Sequence, residues 1–117
     1  ETKYSVETGN KIRGLAAHDL KSNPLKMDLD IKKSGHYQIL LLILNSSLKP
    51  QAVQLKYEGI IQKFQINWNE WGWASLTLQK EFKHPQNVNF EIVCLDPDPQ
   101  LKISKVYLVN LDTGITD

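Results

Sequence analysis

The chain consists of short segments in which hydrophobic and polar residues alternate, and this pattern limits the folds that it can adopt. The clearest segment is residues 25–31, where apolar side chains alternate with lysine and aspartate. Successive side chains of a β-strand point to opposite faces, so the alternation predicts a strand with one buried and one solvated face. Similar segments, separated by turn residues, are residues 53–57, 60–68, 74–78, 88–95 and 101–111.

Residues 37–44 differ because they are apolar at almost every position, with Gln38 as the exception. This run predicts a central strand that is buried on both faces. Residues 1–23 are polar and weakly periodic, so regular structure is expected to start at Leu25. Val6, Ile12 and Leu15 are candidate anchors of short strands before it. No window holds the i, i+3, i+4, i+7 spacing of an amphipathic helix, and the pattern therefore predicts an all-β sandwich or barrel.

Length and charge exclude some classes of function. The chain has 117 residues, which suits one domain over residues 1–117. Its 14 basic and 13 acidic residues give a formal charge of +1, with the lysines spread along the chain. A surface that neutralises nucleic-acid phosphates needs a clear basic excess, so nucleic acid is not expected as a partner. No apolar run is long enough to cross a membrane.

Cysteine and histidine usage predicts no metal site and no disulfide. Cys94 is the single cysteine and shares its parity with apolar residues of the 88–95 segment, as expected of a buried structural thiol. His18, His36 and His84 are far apart in sequence and lack the spacing of a zinc site.

All three tryptophans lie within six positions of one another, next to asparagine, glutamate and glycine. The strand predicted at residues 74–78 sets the parity: extended backwards, it places Trp68 on the apolar side and both Trp71 and Trp73 on the polar side. A bulge at Gly72 would reverse this assignment. The indoles could therefore be a lid on the core or a stacking surface for the apolar face of a sugar.

Several short motifs follow one another in the order found in one protein family. Gly35 and Tyr37 form a G-x-Y-x-hydrophobic opening to the apolar strand, and residues 103–108 are similar to a closing I-D-x-I-x-L motif. Over residues 25–108 the sequence resembles the β-sandwich carbohydrate-binding modules of families 6 and 35, which are galactose-binding-domain-like. The stretches that carry the resemblance are residues 34–41, 45–47, 55–59, 71–78, 87–92 and 103–108.

The resemblance implies a two-sheet antiparallel β-sandwich (jelly roll) of about eight to nine strands. It also implies non-catalytic binding of a polysaccharide or oligosaccharide by a module of a secreted or cell-surface bacterial protein, joined to a glycan-active enzyme such as a glycoside hydrolase. A chain that starts at Glu1 and ends at Asp117 is then expected to be a fragment of a multidomain protein. Ser104 stands where the family has an aspartate that helps to hold structural calcium, so neither a bound metal nor a cofactor is expected.

The family's ligand site lies at a rim of loops. Here that rim would combine the tryptophan loop with the loops at Asn45, at His18 and Asp19, and at residues 96–100. Trp71 or Trp73 would stack on a pyranose, because aromatic rings give large contact area at low entropic cost. Side-chain amides and carboxylates would pair with the sugar hydroxyls. The predicted ligand-binding residues are Trp71, Trp73, Asn45, Asn69, Glu70, Asp98 and His18.

An enzyme is not expected. Glu70 is the only carboxylate among the aromatic residues and lacks the second carboxyl group that a glycosidase needs, and the sequence contains no nucleophile elbow or P-loop. The alternative is a structural or protein-interaction sandwich that packs against a catalytic domain and binds no glycan. The position of the indoles at Trp71 and Trp73, in solvent or beneath other side chains, separates the two.

Overall fold

A computed structural model describes residues 18–112 completely and, for two further strands near the termini, the backbone alone. Within this part of the chain every regular element is a β-strand, and none of it forms a helix that is long and apolar enough to cross a membrane. The strands are β1 (Thr2–Glu7), β2 (His18–Asp19), β3 (Leu25–Ile31), β4 (Tyr37–Asn45), β5 (Gln51–Tyr57), β6 (Ile60–Ile66), β7 (Glu70–Thr77), β8 (Gln86–Cys94), β9 (Leu101–Asn110) and β10 (Ile115–Thr116).

The strands form two sheets, which confirms the predicted all-β sandwich. The first sheet has the order β1-β3-β8-β5-β6 and the second has the order β10-β9-β4-β7, with β2 added beside β9. All pairs are antiparallel except β1 and β3, which run parallel. This parallel pair departs from the purely antiparallel sandwich that the resemblance implies.

The prediction that regular structure begins at Leu25 was wrong. Two strands precede it: β1 contains Val6 and pairs with β3, and His18 and Asp19 form a short strand on β9 rather than a loop. Neither segment has a long alternating pattern that would predict a strand. Each becomes a strand because it pairs with a neighbouring strand, β1 with β3 and β2 with β9. The other two candidate anchors, Ile12 and Leu15, lie outside the described residues.

The core lies between the sheets and is built from the inward-facing residues of the alternating strands. In β3 every apolar residue is buried and the polar residues between them are partly or fully exposed. Burying a Leu, Ile or Phe side chain contributes about 1.5–3 kcal/mol, so alternation over several strands fixes which face turns inward. Tyr37, Tyr57, Phe82 and Phe90 are the largest side chains in this core.

Strand β4 is central in its sheet, between β9 and β7, but it is not buried on both faces as predicted. Its odd-numbered residues from Tyr37 to Asn45 are buried, whereas the even-numbered residues are only half-buried. The reason is that the sandwich has two layers, and one face of each sheet turns away from the other. Three leucines therefore lie on an outer surface: Leu40, Leu42 and Leu44.

The pairing of β4 differs between its two neighbours. Between β4 and β9 the register shifts at Leu42 and Ile43, which marks a bulge or irregularity. Between β4 and β7 the register is continuous through Gly72, which lies opposite Ile43. The bulge considered at Gly72 is therefore absent, and the parity of β7 is unbroken.

Candidate functional site

Trp71 and Trp73 extend from the outer face of β7 into solvent, as the parity of the strand predicted. Their exposed fractions are 46% and 50%. Trp68 is half-buried and packs against the hydrophobic core, in agreement with its predicted inward parity. The cluster therefore divides into one indole on the inner side of the sheet and two on the outer side.

Gly72 and Trp68 together produce this division. The Trp68 ring lies so close to Gly72 that a Cβ placed on the glycine would be 2.5 Å from Cε2 of the indole. The indole Nε1 donates a hydrogen bond of 3.0 Å to the carbonyl oxygen of Ile43 on the neighbouring strand. Trp68 thus covers the inner side of β7 and is tied to β4, while the flanking indoles of Trp71 and Trp73 point outward.

Cross-strand pairing extends the exposed indoles into a larger surface, which we call the tryptophan face. It is the outer face of β7, β4 and β9, and its residues form rows across the sheet. The rows are Trp71–Leu44–Lys102, Trp73–Leu42–Lys105 and Ser75–Leu40–Tyr107. The outer face of the other sheet is polar by comparison, with Lys26 and Glu91 3.7 Å apart and Asn87 bonded to Asp30.

Tyr107 joins the tryptophan face through a ring contact with Trp73. The two ring centroids are 5.7 Å apart and the planes are inclined by 42°. Tyr107 is half-buried on β9, so it reaches the Trp73 ring across the intervening strand β4. Sequence reasoning assigned Tyr107 no role. The alternation of Val106, Tyr107 and Leu108 indicated that Tyr107 faces outward. Its contact with Trp73, however, depends on the order of the strands in the sheet, which the sequence does not show.

Polar groups line this aromatic surface. Gln38 donates through Nε2 to Ser75 Oγ at 2.5 Å, beside the Trp73 row. Glu70, at the start of β7, is exposed and has a left-handed backbone conformation (φ 79°), but its pairing with Asn45 gives it the parity opposite to that of Trp71 and Trp73. Lys102 and Lys105 add cationic groups on the β9 side. The surface can therefore offer both hydrogen-bond donors and acceptors around flat apolar rings.

The four segments predicted to form one rim lie at one end of the sandwich, although His18 and Asp19 form a strand rather than a loop. Asn45 ends β4 opposite both Glu70, at the start of β7, and Leu101, at the start of β9. Asp19 pairs with Lys102 one residue further along β9. A cleft of about 510 Å³ lies at this end between the loops formed by residues 46–51 and 96–100.

Asn45 and His18, which were predicted to contact a ligand, are buried, and their hydrogen-bonding groups point into the protein. Asn45 is 1% exposed: its amide donates to the Lys49 carbonyl at 3.1 Å and accepts from the Ser47 N–H at 2.9 Å. His18 is 6% exposed, with Nε2 2.9 Å from the carbonyl oxygen of Asn23. Buried polar groups of this kind shape loops from within.

Asp98 and Asn69 are exposed, as a ligand contact requires. Asp98 forms a surface ion pair of 3.8 Å with Lys21 and accepts from Gln100 Nε2 at 3.0 Å. It lies on the cleft, whereas Asn69 lies in the loop before Trp71. Of the predicted residues, the structure groups Trp71, Trp73, Asn69 and Glu70 on β7 and its loop and places Asp98 on the neighbouring cleft.

The remaining reactive groups have structural environments. Cys94 is half-buried on β8, and its thiol points to Gln51 Oε1 at 3.5 Å. Burial raises the pKa of this thiol above its usual value, which disfavours the reactive thiolate. Burial likewise raises the pKa of Tyr57, whose hydroxyl accepts from the Gln79 N–H at 2.7 Å. Among the residues that the structure describes, no three His, Cys, Asp or Glu side chains are grouped as a metal site would need.

A histidine–carboxylate cluster lies at the opposite end of the sandwich, where β4 begins and β9 ends. Asp112 accepts from the His36 backbone N–H at 3.1 Å and lies 3.2 Å from His36 Nδ1, and these bonds lower the pKa of Asp112. Glu81 is 3.8 Å from the other ring nitrogen. The cluster is exposed and joins the ends of two strands, so we interpret it as a surface clamp.

Comparison with solved structures identifies the architecture. The chain is similar to the family 35 carbohydrate-binding module from Cellvibrio japonicus Abf62, with a TM-score of 0.62 and 13% identity over 74% of this chain and 64% of that one. It is also similar to the family 35 module Xyl-CBM35 in complex with a disaccharide that contains glucuronic acid, with a TM-score of 0.59 and 13% identity over 74% of this chain and 66% of that one.

A third similar structure is the exo-β-1,3-galactanase from Phanerochaete chrysosporium complexed with galactose. Its TM-score is 0.56, at 9% identity over 73% of this chain and 20% of that one. No protein-family model matches the sequence, and no curated protein matches it either. At these identities the likeness shows the fold alone: the chain is a β-sandwich of the kind found in family 35 carbohydrate-binding modules, as its sequence motifs predicted.

Proposed function

We propose that the chain is a non-catalytic carbohydrate-binding module that holds a polysaccharide or oligosaccharide against Trp71 and Trp73. The single observation that carries the proposal is that both indoles lie in solvent on the same face of one strand. A pyranose has an apolar C–H face that can pack on an indole ring. Aromatic side chains anchor such contacts because they lose little conformational entropy on binding.

The polar residues around the indoles support the same proposal. Sugar hydroxyls need partners that both donate and accept hydrogen bonds. Ser75 and Gln38 lie beyond Trp73 on the same face and provide such partners, and the exposed Asn69 and Glu70 precede Trp71 in the chain. We further propose that the module belongs to a secreted or cell-surface bacterial protein with an appended glycan-active enzyme. The solved neighbours include a part of a galactanase chain, which supports the appended enzyme.

Affinity electrophoresis in gels that contain soluble polysaccharides tests the proposal. We expect at least one glycan to retard the wild-type protein, and Trp71→Ala or Trp73→Ala to weaken binding about tenfold or more, as loss of an aromatic anchor does. Ile61→Ala is the matched control, because Ile61 is 51% exposed on the outer side of the other sheet. Equal retardation of the tryptophan variants and the wild type would contradict the proposed site.

A second function has one specific observation in its favour. Leu40, Leu42 and Leu44 share the tryptophan face, and an exposed apolar sheet face can also pack against another protein domain. In that case the chain would be an interdomain sandwich without a glycan ligand. This second function predicts that no polysaccharide slows the migration of the wild-type protein in affinity electrophoresis.

A further inference from the structure

Strand β7 carries a second feature that is independent of glycan binding: it is an edge of its sheet. Among the described strands its only partner is β4, which leaves the other side of its backbone unpaired within the sheet. Such an edge offers a row of N–H and C=O groups to another strand. This makes β7 a possible pairing surface.

Two hydrogen bonds show which backbone groups face outward. The Leu78 N–H donates to the carbonyl oxygen of Tyr37 at the start of β4, so the backbone N–H and C=O of Leu78 face β4. The carbonyl oxygen of the preceding residue, Thr77, accepts instead from the side chain of Gln62 on β6. The backbone groups of Thr77 therefore face the free edge of β7. Backbone groups alternate along a strand, and the register with β4 is unbroken. The N–H and C=O groups of Trp71, Trp73 and Ser75 therefore face the free edge.

This edge lacks the features that commonly prevent strands from pairing with other chains. Proteins protect edges with lysine, proline or bulges. β7 has no lysine, arginine or proline, its register has no bulge, and its only charged residue is Glu70 at the first position. β6, the edge strand of the other sheet, carries Lys63 in its centre. Gln62 covers only the Thr77 end of β7.

We infer that β7 pairs antiparallel with β7 of a second copy of this chain. Such a pair is self-complementary, because a two-fold axis at Trp73 places Trp73 opposite its own copy and Trp71 opposite Ser75. In that register Glu70 lies opposite Leu76, so no like charges meet. Cross-strand aromatic pairs stabilise antiparallel strands, and the tryptophan faces of both copies become continuous.

The pairing buries a narrow strip of surface, so the association is weak and depends on concentration. Amide hydrogen exchange of the wild-type protein, followed by NMR from low micromolar to millimolar concentration without glycan, tests it. The amides of Trp71, Trp73 and Ser75 are expected to become slower to exchange as concentration rises. Those of Gly72, Ala74 and Leu76 face β4 and are expected to be protected throughout. If the exchange rates of the Trp71, Trp73 and Ser75 amides do not change with protein concentration, the inference is overturned.

Sedimentation equilibrium of matched variants gives the second measurement. Ser75→Pro removes an N–H that faces the free edge, a position where a strand tolerates proline, and is expected to weaken dimerisation roughly tenfold or more. Ser75→Ala keeps that N–H and is expected to dimerise as the wild type does. A wild type that stays at 13.4 kDa at millimolar concentration, or a dimer that a folded Ser75→Pro variant leaves intact, overturns the inference. Because no glycan is present, the outcome is independent of the proposed sugar site.

Discussion

At the scale of single residues, the arrangement of the indoles depends on Gly72, which has no side chain. Gly72 lets the Trp68 ring lie directly on the backbone of β7, where any side chain would collide with Cε2 and Nε1 of the indole. Trp68 in turn donates to the carbonyl of Ile43. From the sequence alone, a glycine between two tryptophans was compatible with a bulge, but in the structure Gly72 makes room for close contact with Trp68.

Gly72→Ala should therefore destabilise the fold. Its Cβ would lie 2.5 Å from the Trp68 ring, and displacing a packed ring costs about 1–3 kcal/mol. Urea denaturation measures the change in the free energy of unfolding. The control is the same substitution in a Trp68→Ala background, where the clash is absent and the additional cost should be small. An equal cost of Gly72→Ala in both backgrounds would show that the ring contact is not its cause.

At the scale of elements, β4 shows how much a hydrophobic pattern can and cannot predict. The eight-residue apolar run predicted a strand at the centre of a sheet, and the structure places it between β9 and β7. The same run predicted burial on both faces, which was wrong because apolar residues also fill its outer face. Hydrophobicity alone does not distinguish a residue covered by a second layer from one that lines an exposed surface.

Leu41 and Leu42 allow a direct comparison of the two faces. Leu41 is fully buried in the core and Leu42 is half-buried on the tryptophan face, opposite Trp73. Leu41→Ala should lower the free energy of unfolding by about 2–5 kcal/mol, because it leaves a cavity. Leu42→Ala should cost less than about 1.5 kcal/mol, since part of its side chain already contacts water. Denaturant titration of both variants checks this, and equal losses would mean that another layer covers the outer face.

At the scale of the whole molecule, the sequence predicted the parts of the site that lie close together along the chain. The parity of residues 74–78 placed Trp71 and Trp73 outward, and the motif order indicated the sandwich. The contact between Trp73 and Tyr107 depends on the order β9-β4-β7, which alternation along one strand cannot reveal. The burial of Asn45 could not be predicted for a related reason: a polar residue at a strand end can face solvent or bond its own loop, and the structure shows Asn45 bonded to Lys49 and Ser47.

The whole molecule should also be stable without calcium. Ser104 occupies the position where the family motif has a carboxylate, and the residues that the structure describes contain no cluster of acidic, histidine or cysteine side chains suited to a metal. A ligand that binds only the native state raises its stability in proportion to RT ln(1 + [L]/Kd), so a tightly bound structural ion would raise the melting temperature. We expect the melting temperature, measured by circular dichroism, to be the same with excess EDTA and with millimolar calcium. Magnesium serves as the control for general ionic effects, and a rise specific to calcium would mean that a site is assembled from groups other than the family's aspartate.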